Sequence, residues 1–258
     1  MWASGDYAAI AEEVVLPLGT VLADASGVGP GDRVLDVAAG TGNAALAAAR
    51  RGATVVASDL TPELLEQGRV RADAGQLVVE WREADAEHLP FPDASFDAVL
   101  SCIGVMFAPH HQAAADELVR VCRPGGRIAL LSWTPEGFVG QLLAAMRPFM
   151  PAPPPGAQPP PLWGREEHVR ELLGDRVTGV VTTRRTLTVD RFAEPAAFRE
   201  LFRRAYGPTV TAYRAVGDDP ERVAALDAAL DGVAARAGRG SHPFVMDWEY
   251  LLLTGRRR

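Results

Sequence analysis

Five short apolar runs, separated by stretches of helical or turn character, constrain this chain more than any other feature. They are RVLDV (33–37), TVVAS (54–58), LVVEW (77–81), FDAVLSC (96–102) and RIALLSW (127–133). The spacing predicts helices from Asn43 to Arg51, Pro62 to Ala74 and Gln112 to Val121. Thr61 suits an N-cap, with Pro62 at the first helical position. RPGG (123–126) is expected to end a helix and turn into the fifth strand. Runs with little polar alternation belong to strands covered on both faces. The pattern therefore predicts an α/β fold with a doubly wound, mostly parallel sheet and right-handed crossovers. Upstream, residues 7–26 carry apolar positions at helical spacing, with Pro17 as an interruption. Downstream the regularity breaks. The proline-rich stretch 147–164 is expected to be a surface loop. After it come a short helix (165–174), a polar-alternating strand (179–192), helices near 194–206 and 219–237, and a closing strand, VMDWEYLLLTGR (245–256).

Composition narrows the function. The 258 residues carry a formal charge of -7 and no basic cluster apart from the terminal Arg256, Arg257 and Arg258, so nucleic acid is not an expected partner. Cys102 and Cys122 share no metal or redox spacing and read as buried free thiols in a reducing cytoplasm. No run approaches the ~20 apolar residues of a membrane helix, and MWASGDYAAIAEEVV lacks the features of a signal peptide.

The chemistry gathers at VLDVAAGTGNAAL (34–46). Gly40 and Gly42 lie in a turn between strand and helix, where backbone amides approach a ligand closely. A phosphate loop of the Walker type needs a lysine after its glycines, and GTGNAAL has none. A dinucleotide turn is met in relaxed form by Gly40, Gly42 and Ala45, but it leaves Asp36 unexplained: an anion there repels a pyrophosphate. An acidic strand end suits a cationic ligand rich in hydrogen-bond donors. S-adenosylmethionine is such a ligand, with a sulfonium, an ammonium and ribose hydroxyls. Asp36 can equally cap the turn. Asp59 closes the second strand, where an acid reaches ribose hydroxyls in nucleotide folds generally. Asp85, in the loop after the third strand, can accept from the adenine amine, and the Ala86 amide can donate to the ring.

VLDVAAGTG, the end of VVASD, DAEHLPFPDASFDAVLS and RVCRPGGRIALLSW occur in this order over roughly residues 30–135. Together they resemble the class I S-adenosylmethionine-dependent methyltransferases, in particular the ubiquinone/menaquinone-biosynthesis-like subgroup. Ala38 departs from the pattern, standing where the family often has its first glycine. The resemblance implies a Rossmann-like, seven-stranded sheet with an antiparallel last strand and a helical cap insertion. It implies one domain over 1–258, with the cofactor-binding core in 1–135 and cap segments in 136–178 and 193–243. It places Asp36, the backbone of Ala38, Gly40 and Gly42, and Asn43 around the methionine part. Asp59 goes to the ribose, Leu60, Asp85 and Ala86 to the adenine, and the Ser101 backbone to the sulfonium. Tyr7 is a further contact, from an N-terminal segment folded over the cofactor.

The acceptor is expected beyond the fourth and fifth strands. Met106 and Phe107 are candidate walls, with Trp133, Trp163 and Tyr206 from the cap, which suit a flat or apolar small molecule. His110 is the candidate general base for an oxygen nucleophile. The five histidines offer no metal-ligand spacing. An NAD(P)-dependent oxidoreductase and a non-catalytic S-adenosylmethionine-binding protein are the alternatives; Asp36, Asp85 and the lack of a Tyr-x-x-x-Lys pair weigh against the first.

Overall fold

Pro17 falls where the sequence pattern suggested a break. Helix α1 (Tyr7–Glu13) stops before it, and α2 (Leu16–Ser26) begins with it in the first turn, where a missing N–H breaks no bond. The computed structural model describes residue 2, residues 5–240 and residues 244–258; His242, noted near the last strand, lies outside them. The alternation then runs β1 (Arg33–Val37), α3 (Asn43–Arg50), β2 (Thr54–Asp59), α4 (Pro62–Ala74), β3 (Val79–Glu83), β4 (Phe96–Cys102), α5 (His111–Val121) and β5 (Cys122–Trp133). The second half contributes α6 (Phe138–Met146), α7 (Glu166–Leu173), β6 (Val177–Phe192), α8 (Pro195–Ala205), α9 (Gly207–Val216), α10 (Pro220–Ala237), β7 (Gly238–Arg239) and β8 (Phe244–Arg257).

The sheet order is β3-β2-β1-β4-β5-β8-β6, with β7 paired to β8. Strands β1 to β5 are parallel, and β8 runs antiparallel to both β5 and β6. The expected seven-strand path is present, and the two-residue β7 makes an eighth strand. The central strands are sealed on both faces: Val34, Leu35, Val99 and Leu100 are wholly inaccessible. This is why they read as continuous apolar runs.

Four local expectations change. Strand β3 starts two residues later than predicted, because the Leu77 amide is held by the Ala72 carbonyl at the end of α4. RPGG does not separate helix from strand. Cys122 already pairs with Phe96 and Arg127 with Ala98, so 123–126 bulge out within β5. Residues 138–146 and 207–216, unassigned from sequence, are helices. The proline-rich stretch stays on the surface over 151–156 but turns inward at its end: Pro161, Trp163 and Gly164 are buried in a short 3-10 turn packed on β5. Helices α6, α8, α9 and α10 pack on one another, whereas α7 packs on α5. Phe138 stacks on Trp248 at 5.1 Å and meets Phe198 edge-on at 5.1 Å, tying α6 and α8 to β8.

Candidate cofactor and acceptor site

Strand order reverses between β1 and β4, the position at which open α/β sheets hold ligands. A cavity of about 490 Å³ opens there, beyond the carboxyl ends of β1, β2 and β4. Ligand sites of this kind span roughly 300–1,000 Å³. Its walls are Ala38 to Gly40 after β1, Asp59 to Leu64 after β2, Ala84 to Ala86 after β3, and Cys102 to Gly104 at the end of β4. Tyr7 and Trp2 close it from the N-terminal segment. Among the described residues, the charged groups in this wall are Asp59, Glu63 and Asp85, all carboxylates, so this lining favours a cation.

The glycine turn is held by two aspartates. Asp59 Oδ2 accepts from the Gly40 amide at 2.8 Å and its Oδ1 from the Thr61 amide at 2.9 Å. Burial pushes the Asp59 carboxyl above its usual range, against the pull of those backbone donors. Asp36 lies deeper, outside the cavity lining. Its Oδ2 accepts from the Ala45 amide at 2.8 Å, while its Oδ1 is buried with no partner among the described residues. Burial pushes this carboxyl up to about 7, opposed by the Ala45 amide and reinforced by the charge of Asp59.

The backbone around the cavity is strained. Ala38, Gly40 and Gly42 have φ of 53°, 57° and 83°, and Ile103 across the cavity has 57°. A β-branched residue rarely adopts such a φ; the Ile103 amide, held by the Leu131 carbonyl at 2.7 Å, keeps it there. Ala38 fits at the family's glycine position because Gly104 faces it. A Cβ on Gly104 would stand 2.0 Å from the Ala38 carbonyl oxygen and 2.8 Å from its Cβ. Gly42 serves a different purpose from Gly40. It lies outside the cavity lining, and a Cβ on it would meet the Trp81 ring at 2.5 Å. Gly42→Ala therefore adds a clash to an unfavourable φ; a loss of about 2–3 kcal/mol in chemical denaturation is expected.

Tyr7, Ala38, Gly40, Asp59, Leu60, Asp85, Ala86 and Phe107 meet at the cavity. Asn43 does not reach it: its amide donates to the Ala11 carbonyl at 2.9 Å and ties α1 over α3. Ser101 is fully buried, donating to the Val37 carbonyl at 2.7 Å and accepting from the Val105 amide at 2.9 Å, so Cys102 takes the wall position expected of it. Met106 is fully buried in core packing. Trp163 is equally buried, beside His111 at 5.6 Å between ring centroids. Trp133 and Tyr206 line a second, smaller chamber behind Phe107. His110 points elsewhere. Its Nδ1 pairs with Glu87 at 2.8 Å and its Nε2 contacts the Pro155 carbonyl at 3.2 Å, at an exposed position outside both linings. Sequence reasoning missed Cys102, Ile103, Gly104 and Leu64. CIGV has no recognisable motif, although Leu64 follows the Thr61–Pro62 cap by helical necessity.

The comparisons with known proteins agree with this geometry. A family model described as a methyltransferase domain matches residues 35–130. An uncharacterized protein of Mycobacterium tuberculosis is 54% identical over 258 residues, covering 100% of this chain and 93% of its own length. A demethylmenaquinone methyltransferase of Clavibacter sepedonicus is 47% identical over 104 residues, 40% of this chain and 42% of that protein. The YcgJ protein of Bacillus subtilis shares the fold, with a TM-score of 0.63 at 18% identity over 94% of this chain and 98% of that one. The chain belongs to the class I S-adenosylmethionine-dependent methyltransferases. S-adenosylmethionine is its cofactor, and the oxidoreductase alternative is set aside. Among the described residues, no helix is long and apolar enough to cross a membrane.

Proposed function

We propose that this enzyme methylates a small, uncharged molecule in the cytoplasm. One observation carries the reading. Trp2, Tyr7, Ile103 and Phe107 line both the cofactor cavity and an adjoining chamber walled by aromatic and aliphatic side chains. An apolar chamber beside the cofactor, walled by side chains, suits a small ligand better than a segment of polymer. The acidic lining and the unpartnered Asp36 oxygen fit a cofactor that carries two positive charges and no phosphate.

Asp59 would accept the ribose hydroxyls, Leu60 would pack on the adenine, and Asp85 with the Ala86 amide would read its edge. Ala38 and Gly40 would bring backbone amides to the methionine end. Bound there, the cofactor supplies an electrophilic methyl group on a sulfonium. Tyr7 and Phe107, which line both cavity and chamber, would help exclude water and hold the nucleophile in line by packing.

On this reading His110, paired with Glu87 outside both linings, takes no part in proton transfer. His110→Ala should leave kcat/KM within about twofold of wild type, as for a surface substitution; a loss of a hundredfold would restore it as the base. The reading itself is tested by incubating the enzyme with methyl-labelled S-adenosylmethionine and a fractionated cell extract. Label is expected in the low-molecular-weight fraction. Label confined to protein or nucleic acid would overturn the small-molecule assignment.

A further inference from the structure

We infer that the chamber behind Phe107 takes a flat, uncharged ring system carrying a hydrogen-bond-accepting oxygen, and that the indole of Trp2 occupies this place until the acceptor displaces it. The inference rests on the small-molecule reading and names its substrate class. Seven aromatic side chains line the chamber: Trp2, Tyr7, Phe107, Trp133, Phe202, Tyr206 and Trp248. They come from the N-terminal segment and α1, the β4–α5 connection, β5, α8 and its junction with α9, and β8. Among the described residues, no Asp, Glu, Arg or His belongs to its wall, so a charged ligand would lose its hydration without gaining a partner there.

The open space inside is only about 20 Å³. That admits one water molecule and no ring. The volume a ring needs is filled by the Trp2 indole, which also lines the cofactor cavity. The indole is packed edge-to-face against Phe107, Tyr7 and Tyr206, at 4.6, 5.2 and 5.7 Å between centroids. Three rings set at steep angles around a fourth form a box that any flat aromatic of similar size can enter.

Two polar atoms in this wall are unexplained by the fold. The Tyr206 hydroxyl and the Trp248 Nε1 are buried and have no partner among the described residues. Buried polar groups are ordinarily paired. Trp Nε1 only donates, and burial keeps the Tyr206 hydroxyl protonated and able to donate. Both therefore await an accepting atom, which a carbonyl or phenolic oxygen on the ring would supply.

The test uses the full chain saturated with S-adenosylhomocysteine, with 2-naphthol and naphthalene as probes in calorimetry. Trp2→Ala should bind both probes about tenfold more tightly than wild type, because the competing indole is gone. Trp2→Leu should give the same direction, should the alanine variant fold poorly. Tyr206→Phe should weaken 2-naphthol about tenfold and leave naphthalene unchanged, with no fall in Tm, since no protein hydrogen bond is lost. Unchanged affinities in both Trp2 variants, or equal effects of Tyr206→Phe on the two probes, would overturn the inference. So would displacement of S-adenosylhomocysteine by 2-naphthol, which would put the probe in the wrong cavity. Ring binding that follows the predicted pattern while the methyl label enters only macromolecules would sink the small-molecule reading alone. Labelled small molecules without ring binding would sink only this inference.

Discussion

Asp59→Ala is expected to weaken S-adenosylmethionine binding about a hundredfold in calorimetry. Two effects act together. The side chain holds the Gly40 amide at 2.8 Å and the Thr61 amide at 2.9 Å, so it sets both the turn after β1 and the entry to α4. Its removal leaves two backbone donors without their charged acceptor, and such bonds contribute about 1.5–3 kcal/mol each. Water can reach the cavity-facing donor, so the fall in stability should be about 2 kcal/mol rather than the sum. The ligand, in addition, loses an ionised acceptor for its ribose hydroxyls, equivalent to about 3 kcal/mol or a factor near one hundred. Asp59→Asn separates the two effects. It retains an acceptor oxygen for one amide, so stability should recover more than affinity. An unchanged dissociation constant for Asp59→Ala would remove Asp59 from the cofactor site.

The parts of the fold that were legible in the sequence are those where local pattern and burial agree. Strands β1, β2 and β4 lie inside the parallel sheet, and each of their runs is apolar because both faces are covered. The edge strand β3 has mixed burial, and its register is set by pairing Val55 with Val79, a contact between distant residues. Helix α9 was invisible for another reason. GPTVTAYRAV holds a glycine, a proline and several β-branched residues, so its helicity rests on packing against α8 and α10 rather than on propensity. The site divides in the same way. Gly40, Asp59 and Asp85 follow strand ends and could be placed from order alone. Gly42 carries the same motif signal as Gly40, yet it makes room for Trp81, a residue no local window connects to it. Trp163 and Met106 were drawn toward the acceptor by residue type, but the neighbours that bury them are remote in sequence.

Asp36 should make cofactor binding depend on pH. In the cofactor-free protein, burial holds this carboxyl at about 7, from an ordinary value of 3.8. A carboxyl raised by folding favours the folded state while protonated. That contribution is complete below about pH 4 and is lost as pH climbs through 7. At about 1.4 kcal/mol per unit, the swing is on the order of 4 kcal/mol. The Tm of the cofactor-free enzyme should therefore fall between pH 5 and 8, as read by calorimetry at about those two limits. A cationic ligand beside Asp36 and Asp59 reverses the preference, because it stabilises the ionised forms. Binding then expels a proton, and affinity should rise with pH by up to about tenfold per unit until it levels off near 7. Titrations in buffers of different ionisation enthalpy would register the released proton directly. Asp36→Asn has no charge to desolvate, so its cofactor-free Tm should be nearly flat over the same range and its affinity slope reduced to the share of Asp59. If Asp36→Asn kept the full slope, the titrating group would lie elsewhere. The unpartnered Asp36 oxygen would then be a packing feature of β1. If the slope flattens, the same oxygen explains how a cavity that is unfavourable for a buried anion becomes favourable once a cation enters it.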